Sequence, residues 1–313
     1  MRLFFLGSGA IAVPTVEAIH RDQDIALIGC GTQPDRPVGR QRVMTPTPIG
    51  QWCVANSIDV VKTKSVNQES FQAPLRELEA DIILVFSFGQ ILKRELLNLP
   101  AYGCLNIHAS LLPKYRGAAP VSAAILGGDR TTGITFMKMA EGLDSGPIHS
   151  QFETHLTGRE YAPELEAQLG RLAAGHITRM LSRIIGGELS PVPQDHANAV
   201  HANKIGKTDG LINWADSATH IERQVRAYHP WPGARFDLEA RGKERRLTIT
   251  KAVVTNAAAD AAPATVLSAD KSDWRVQCGE GEILIQRVIP DGKREMTGVE
   301  FLRGCPLQVG KIL

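Results

Sequence analysis

Three side chains in the first half of this 313-residue chain have the types and setting for acyl-group chemistry. Asn106 and His108 stand two apart at the end of the apolar run "GCLNIH", the period that turns both side chains to one face of a strand. A loop rich in proline and glycine, "ASLLPKYRGAAP", follows at once, so the chain leaves the sheet just where two polar groups have been presented. In parallel α/β sheets, ligands gather at such carboxyl ends. Asp144, in the turn "AEGLDSG", adds a carboxylate on a segment able to fold over the same end. An amide and an imidazolium stabilise an oxyanion, and a carboxylate keeps the imidazole charged and accepts protons. The plainer readings are a structural histidine at a strand end and an aspartate serving ordinary turn chemistry. No Gly-x-Ser-x-Gly elbow competes for the role, and His108 has no second His or carboxylate at metal-ligand spacing, so a metal is not expected.

Two further stretches carry candidate binding groups. Gly7-Ser8-Gly9-Ala10-Ile11-Ala12 follows a strand and fits the dinucleotide fingerprint with Ala at its third position, and Asp35 lies near the end of the next strand. A nicotinamide-dependent dehydrogenase is therefore one alternative, although the same glycines serve any tight strand-to-helix turn. "TQPDRPVGRQRVMTPTP" carries Arg36, Arg40 and Arg42 on a long polar loop. It is either a solvated connection that happens to be basic or a projecting loop whose guanidiniums grip phosphates.

The elements that must hold these residues read as alternating strands and helices. "RLFFLG", "IALIGC", "ADIILVFSF" and "GCLNIH" are short apolar runs of the kind buried in a parallel sheet, so the first part is expected to be a three-layer α/β domain. "TGITFMKM" and "GPIHSQFETHL" read as two paired strands joined by the Asp144 turn. A helix of about 25 residues should follow, opened by a capping box of Thr157 with Glu160 and stopped at Gly186-Gly187. "ELSPVPQDHANAVHANKIGKTDG" has no apolar periodicity and reads as a linker. Beyond a helix from Ser217 to Tyr228, the remaining runs are short and strand-like, the pattern of a small barrel. The expected boundaries are a catalytic domain at 1–189, a linker at 190–207 and a barrel domain at 208–313.

Composition sets the outer bounds. With 43% hydrophobic and 22% charged residues the chain reads as an ordinary globular protein, and no apolar run approaches a membrane span. Five dispersed cysteines without a Cys-x-x-Cys pair argue against a disulfide framework and point to a reducing, cytoplasmic setting. A net charge of +2 is too small to announce a nucleic-acid partner by itself.

"NIHASLLPKYRGAAP" and "GLDSG" resemble the signatures of the folate-dependent formyltransferases. "TQPDRPVGR", "YRGAAP" and "INWADSATHIERQVRAYHPWPGA" narrow the resemblance to the methionyl-tRNA formyltransferases, over nearly the whole chain. The resemblance implies a Rossmann-like formyltransferase domain followed by a C-terminal OB-like barrel. It implies transfer of a formyl group from 10-formyltetrahydrofolate to the α-amino group of initiator methionyl-tRNA, in translation initiation. Carried over by position, Asn106, His108 and Asp144 are the catalytic set, and Ser110, Leu111, Leu112 and Pro113 the folate-contacting motif. The loop from Gln33 to Pro48, with Arg36, Arg40 and Arg42, is the tRNA-engaging insertion, and Arg40 holds the best-placed position. Lys204 and Lys207, with Arg245 and Arg246, are candidates for the tRNA path. The chain departs from the common pattern at Ser87-Phe88, at Lys114 and in "GSGAIAVP". No metal, no membrane and a monomer are expected. A sugar-nucleotide formyltransferase or a formyltetrahydrofolate hydrolase would share the catalytic three without the arginine loop. An RNA-binding module without catalysis would leave them idle.

Overall fold

The computed structural model describes residues 1–39, 41–240, 242–255 and 261–313. They form two compact units. The first comprises Met1–Pro120, Thr131–His155 and Glu164–Asn203, and the second Val121–Arg130, Leu156–Pro163 and Lys204–Leu313. No helix among the described residues is long and apolar enough to cross a membrane.

The first unit is built on a seven-stranded sheet. Its order is Ile148–His155, Thr131–Lys138, Cys104–His108, Ile82–Phe86, Arg2–Gly7, Ala26–Thr32, Val60–Lys62. Ile82–Phe86 and Cys104–His108 are buried along their whole length, which is why both read as unbroken apolar runs rather than alternating ones. Arg2–Gly7 pairs in parallel with Ala26–Thr32 on one side and with Ile82–Phe86 on the other, so the strand order reverses there. In doubly wound sheets, the crevice beyond the carboxyl ends at such a reversal is the usual ligand site. Cys104–His108 extends the parallel set, and Thr131–Lys138 runs antiparallel to both of its neighbours, Cys104–His108 and Ile148–His155.

The structure corrects two expectations from the sequence. In the glycine loop, the N–H groups of Ser8 and Gly9 both donate to the Ser87 carbonyl, at 3.0 and 3.2 Å. A Cβ on Gly9 would lie 2.3 Å from Ser87 Oγ. The loop packs closely against the neighbouring strand end, and the amides that would cradle a pyrophosphate are engaged. Asp35 is held by Lys62 Nζ at 2.8 Å, so the dinucleotide alternative loses its groups. The pair Thr157 and Glu160 does not cap the long helix, which runs Ala162–Ile185. Glu160 instead accepts the N–H groups of Thr157, Gly158 and Arg159 in a turn before it, where Gly158 takes a left-handed φ of +81° that no helix continues.

The second unit carries a curled antiparallel sheet, an open barrel of the OB-like kind. Its order is Ala234–Ala240, Lys243–Thr255, Glu282–Pro290, Trp274–Gln277, Val266–Ala269, with Met296–Thr297 on Glu282–Pro290. The thirteen-residue strand Lys243–Thr255 shifts register about Lys251, and such bulges bend and twist a strand. Inside the curve, Trp274 is fully buried and stacks on Phe301 at 5.5 Å between ring centroids. The helix Ala218–Ala227, N-capped by Ser217, covers the sheet. Segments from the middle of the chain complete this unit. Ser122 Oγ donates to the Ala227 carbonyl at 2.9 Å, and Tyr161 Oη to the Thr250 carbonyl at 3.0 Å.

Candidate active site

Asn106 and His108 lie at the carboxyl end of Cys104–His108, both buried. The imidazole has fixed neighbours. Its Nε2 stands 2.8 Å from the Tyr115 carbonyl, and because a carbonyl only accepts, this nitrogen carries the proton and donates. Nδ1 therefore faces outward, 3.6 Å from Asp144 Oδ2. That gap is too long for a direct hydrogen bond and leaves Nδ1 open to a third group. The Asn106 amide has no hydrogen-bond partner among the described residues, although its backbone is paired on both sides. Its polar atoms still reach the surface at the strand end, so they are free to meet an acceptor on a ligand.

Asp144 has φ of +46°, in the left-handed region that non-glycine residues occupy at a cost. Its Oδ2 also accepts the Gly117 N–H at 2.8 Å, so one carboxylate oxygen joins the two loops that follow the strand. Two stretches of sequence, the strand end with Asn106 and His108 and the turn with Asp144, are thus brought together. Together they offer a carboxamide donor, a second donor at Nδ1 when the imidazole is doubly protonated, and one acceptor for a proton.

The loop Ser110–Pro113 is rigid because its polar groups bond inward. Ser110 Oγ donates to the Lys114 carbonyl at 2.6 Å, and Leu112 N–H to Thr135 Oγ1 at 3.1 Å. Gln151 Nε2 donates to the Leu112 carbonyl at 2.8 Å and to Thr135 Oγ1 at 3.0 Å. Leu112 is buried, while Leu111 and Pro113 are partly open, so the apolar faces of those two residues are what this loop presents. On the neighbouring strand end, Phe88 belongs to the core and Ser87 is exposed. Thr135, Gln151 and the Tyr115 carbonyl carry no mark in the sequence. Thr135 and Gln151 sit in strands that read only as edge pairing, and a backbone carbonyl has no sequence signature.

The arginine loop is not irregular. Arg36–Val38 and Val43–Thr45 pair as an antiparallel hairpin, in the register Arg36 to Thr45 and Val38 to Val43. Arg36, Arg42, Val38, Val43 and Met44 are all exposed. Arg40 lies outside the described residues. The hairpin was hidden because each strand is only three residues long, too short for a period, and prolines interrupt the run. Thr47 closes its root by capping the helix Pro48–Ala55. Lys204 and Lys207 are exposed and lie in the second unit. Arg246 is committed to Asp237 through two bonds of 2.8 Å and holds that carboxyl below its usual range.

Comparison with known proteins agrees over the full length. Residues 1–181 match the family described as formyl transferase, and residues 204–306 its C-terminal domain. The methionyl-tRNA formyltransferase of Sorangium cellulosum is 38% identical over 315 residues, covering 100% of this chain and 99% of its own. That of Hydrogenovibrio crunogenus is 36% identical over 98% of this chain and 97% of its own. Among solved structures, the N-formyltransferase from Helicobacter canadensis, in complex with folinic acid and dTDP-3-aminofucose, shares the fold with a TM-score of 0.63. The identity is 18%, over 91% of this chain and 98% of that one. HypX from Aquifex aeolicus, in complex with tetrahydrofolic acid, has a TM-score of 0.60 at 15% identity, over 96% of this chain and 46% of that one.

Proposed function

The chain belongs to the formyl transferase family, and from that premise we propose that it transfers a formyl group from 10-formyltetrahydrofolate to the α-amino group of initiator methionyl-tRNA. The observation that carries the reading is the convergence of Asn106, His108 and Asp144 at one strand end, with His108 Nδ1 and the Asn106 amide left open to a ligand. The full-length likeness to methionyl-tRNA formyltransferases supports the acceptor, and the folates held by the structural neighbours support a folate-type donor.

The chemistry follows from what each group can do. The neutral amine attacks the formyl carbon, and the carbonyl electron pair moves onto oxygen. Asn106 and, with the imidazole doubly protonated beside the Asp144 carboxylate, the Nδ1–H of His108 donate to that oxyanion, and preorganised donors of this kind are usually the largest catalytic term. Asp144 takes the proton shed by the attacking nitrogen, directly or through one water. The tetrahedral centre then collapses, the bond to the folate nitrogen breaks, and that nitrogen leaves with the electron pair and receives the proton that Asp144 took up, directly or through water. No covalent enzyme intermediate is required, which suits a site whose nearby hydroxyl, that of Ser110, is turned inward to the Lys114 carbonyl.

The exposed hairpin with Arg36 and Arg42, and by sequence Arg40, is the feature we assign to the tRNA acceptor end, with Lys204 and Lys207 gripping phosphates. Leu111 and Pro113 supply an apolar wall for the folate ring. The deciding experiment supplies 10-formyltetrahydrofolate with charged initiator methionyl-tRNA, beside uncharged tRNA plus free methionine. Formylated product only with the charged tRNA is expected. Donor consumption with release of formate in both would make the protein a hydrolase and overturn the reading of the hairpin.

A further inference from the structure

The stretch from Val192 to Ala202 runs along the Asp144 turn and along the loop that follows the strand carrying Asn106 and His108. Val192 exchanges two backbone bonds of 2.8 Å with Ile148, just beyond the Asp144 turn. Further on, Val200 donates to the Pro113 carbonyl at 3.2 Å and accepts the Arg116 N–H at 2.8 Å. His201–Ala202 then pairs in parallel with Arg116–Gly117. Between these anchor points lies Gln194, buried at 6% exposure. Its Nε2 donates to the carbonyls of Asp144 at 2.9 Å and Gly146 at 2.7 Å. Its Oε1 receives Arg116 Nε at 3.1 Å and Nη2 at 2.7 Å. The same Nη2 donates to His196 Nδ1 at 3.1 Å, and Arg116 itself is buried at 5% exposure.

Each bond has only one possible direction. Carbonyls accept, a guanidinium donates, and between them only a carboxamide in this orientation satisfies both sides. The Asp144 turn needs such a hold. Its φ of +46° is unfavourable for aspartate, and the neighbouring Leu143 is exposed, so apolar packing does not anchor it. Arg116 adjoins Gly117, whose N–H binds the Asp144 carboxylate, so one buried unit holds that residue by its main chain and by its side chain. We propose that Gln194, locked by Arg116, is a positioning residue that holds the Asp144 carboxylate against His108 during transfer. The proposal rests on the assignment of Asp144 as proton acceptor.

The test uses Gln194→Ala and Gln194→Glu, alone and combined with Asp144→Asn, in the full chain. Glutamate keeps the shape but turns an acceptor toward two carbonyls. In steady-state formyl transfer, kcat is expected to fall about 100-fold in each single variant, the usual cost of misplacing a reacting group by about 1 Å. KM for folate and for tRNA should change less than about threefold, the split expected when only the transition state is affected. On the Asp144→Asn background, Gln194→Ala should cost nothing more, since coupled residues are not additive. Hydrogen exchange at the Gly117 amide, whose bond to Asp144 reports the carboxylate's place, should accelerate. Unchanged kcat with Gly117 still protected, or losses that multiply in the double variant, would overturn the proposal. If Gln194 variants fail to fold, Arg116→Lys, which keeps the charge and loses the two-pronged bond, is expected to show the same split in smaller degree. An intact kcat in Arg116→Lys would overturn the proposal equally. A wild-type chain that transfers nothing would sink the functional reading, while the Gly117 exchange would still decide whether Gln194 places Asp144.

Discussion

Asn106 offers the simplest residue to test, because its amide has nothing else to do. Asn106→Ala should lower kcat by roughly 10²–10³-fold, the loss found for single oxyanion donors, with folate affinity nearly unchanged. Single-turnover transfer and folate titration separate the two effects. His149 makes a different prediction, about stability. Burial holds its pKa below the usual 6.5, against the pull of the Leu189 carbonyl that Nδ1 contacts at 3.2 Å. Above that value both folded and unfolded chains hold it neutral. As pH falls below it, the unfolded chain takes up the proton first, so the folded state loses stability on acidification. His149→Gln should reduce the drop in denaturation midpoint between about pH 7.5 and pH 5.5, windows either side of an ordinary histidine. At this scale the sequence is a good guide where a polar group interrupts an apolar period, as at Asn106 and His108. Gln194 and Arg116 carry no such mark, because their significance lies in a partnership across 78 residues of chain.

At the scale of elements, the parallel strands were legible because burial on both faces leaves long apolar runs. The hairpin was not, since two strands of three residues, one of them holding a proline, carry no period. Its basic character was still visible in the arginines. Arg36→Ala with Arg42→Ala should raise KM for tRNA and leave folate binding alone. The salt slope of tRNA affinity should fall by about 1 for each phosphate no longer gripped. Equal damage to folate use would show that the hairpin supports the whole site instead. Its root is tested separately. Thr47 Oγ1 accepts the Gly50 N–H at 3.0 Å, and Thr47→Ala should cost about 1 kcal/mol in chemical denaturation, the usual value of a helix cap.

For the whole molecule, the two-part architecture was legible from the change of pattern after the long helix. What the pattern could not reveal is that Val121–Arg130 and Leu156–Pro163 belong to the second unit. Such membership is a matter of tertiary partners, and neither segment is distinctive in composition. The five cysteines, all buried, report on this interleaving. Burial pushes the thiols of Cys104, in the first unit, and Cys278, in the second, up to about 12, so neither should react with thiol reagents in the native state. With denaturant, the thiols of both units should become reactive over the same range. Two separated ranges, read by mass spectrometry of the labelled chain, would show that the units unfold independently. A fragment of residues 1–203 should likewise be poorly soluble, because it keeps two segments of the second unit without the remainder.

The same interleaving bears on the order in which the chain is made. A ribosome adding about 5–20 residues per second releases the N-terminal strands first, and they can pair as they emerge. Val121–Arg130 and Leu156–Pro163 emerge along with them, yet their partners are still untranslated. For a period on the order of ten seconds at that rate, these two segments must wait outside the ribosome without a place to dock. The second unit is thus the last to close, and the nascent chain is most open to capture by chaperones while its middle is waiting for its end.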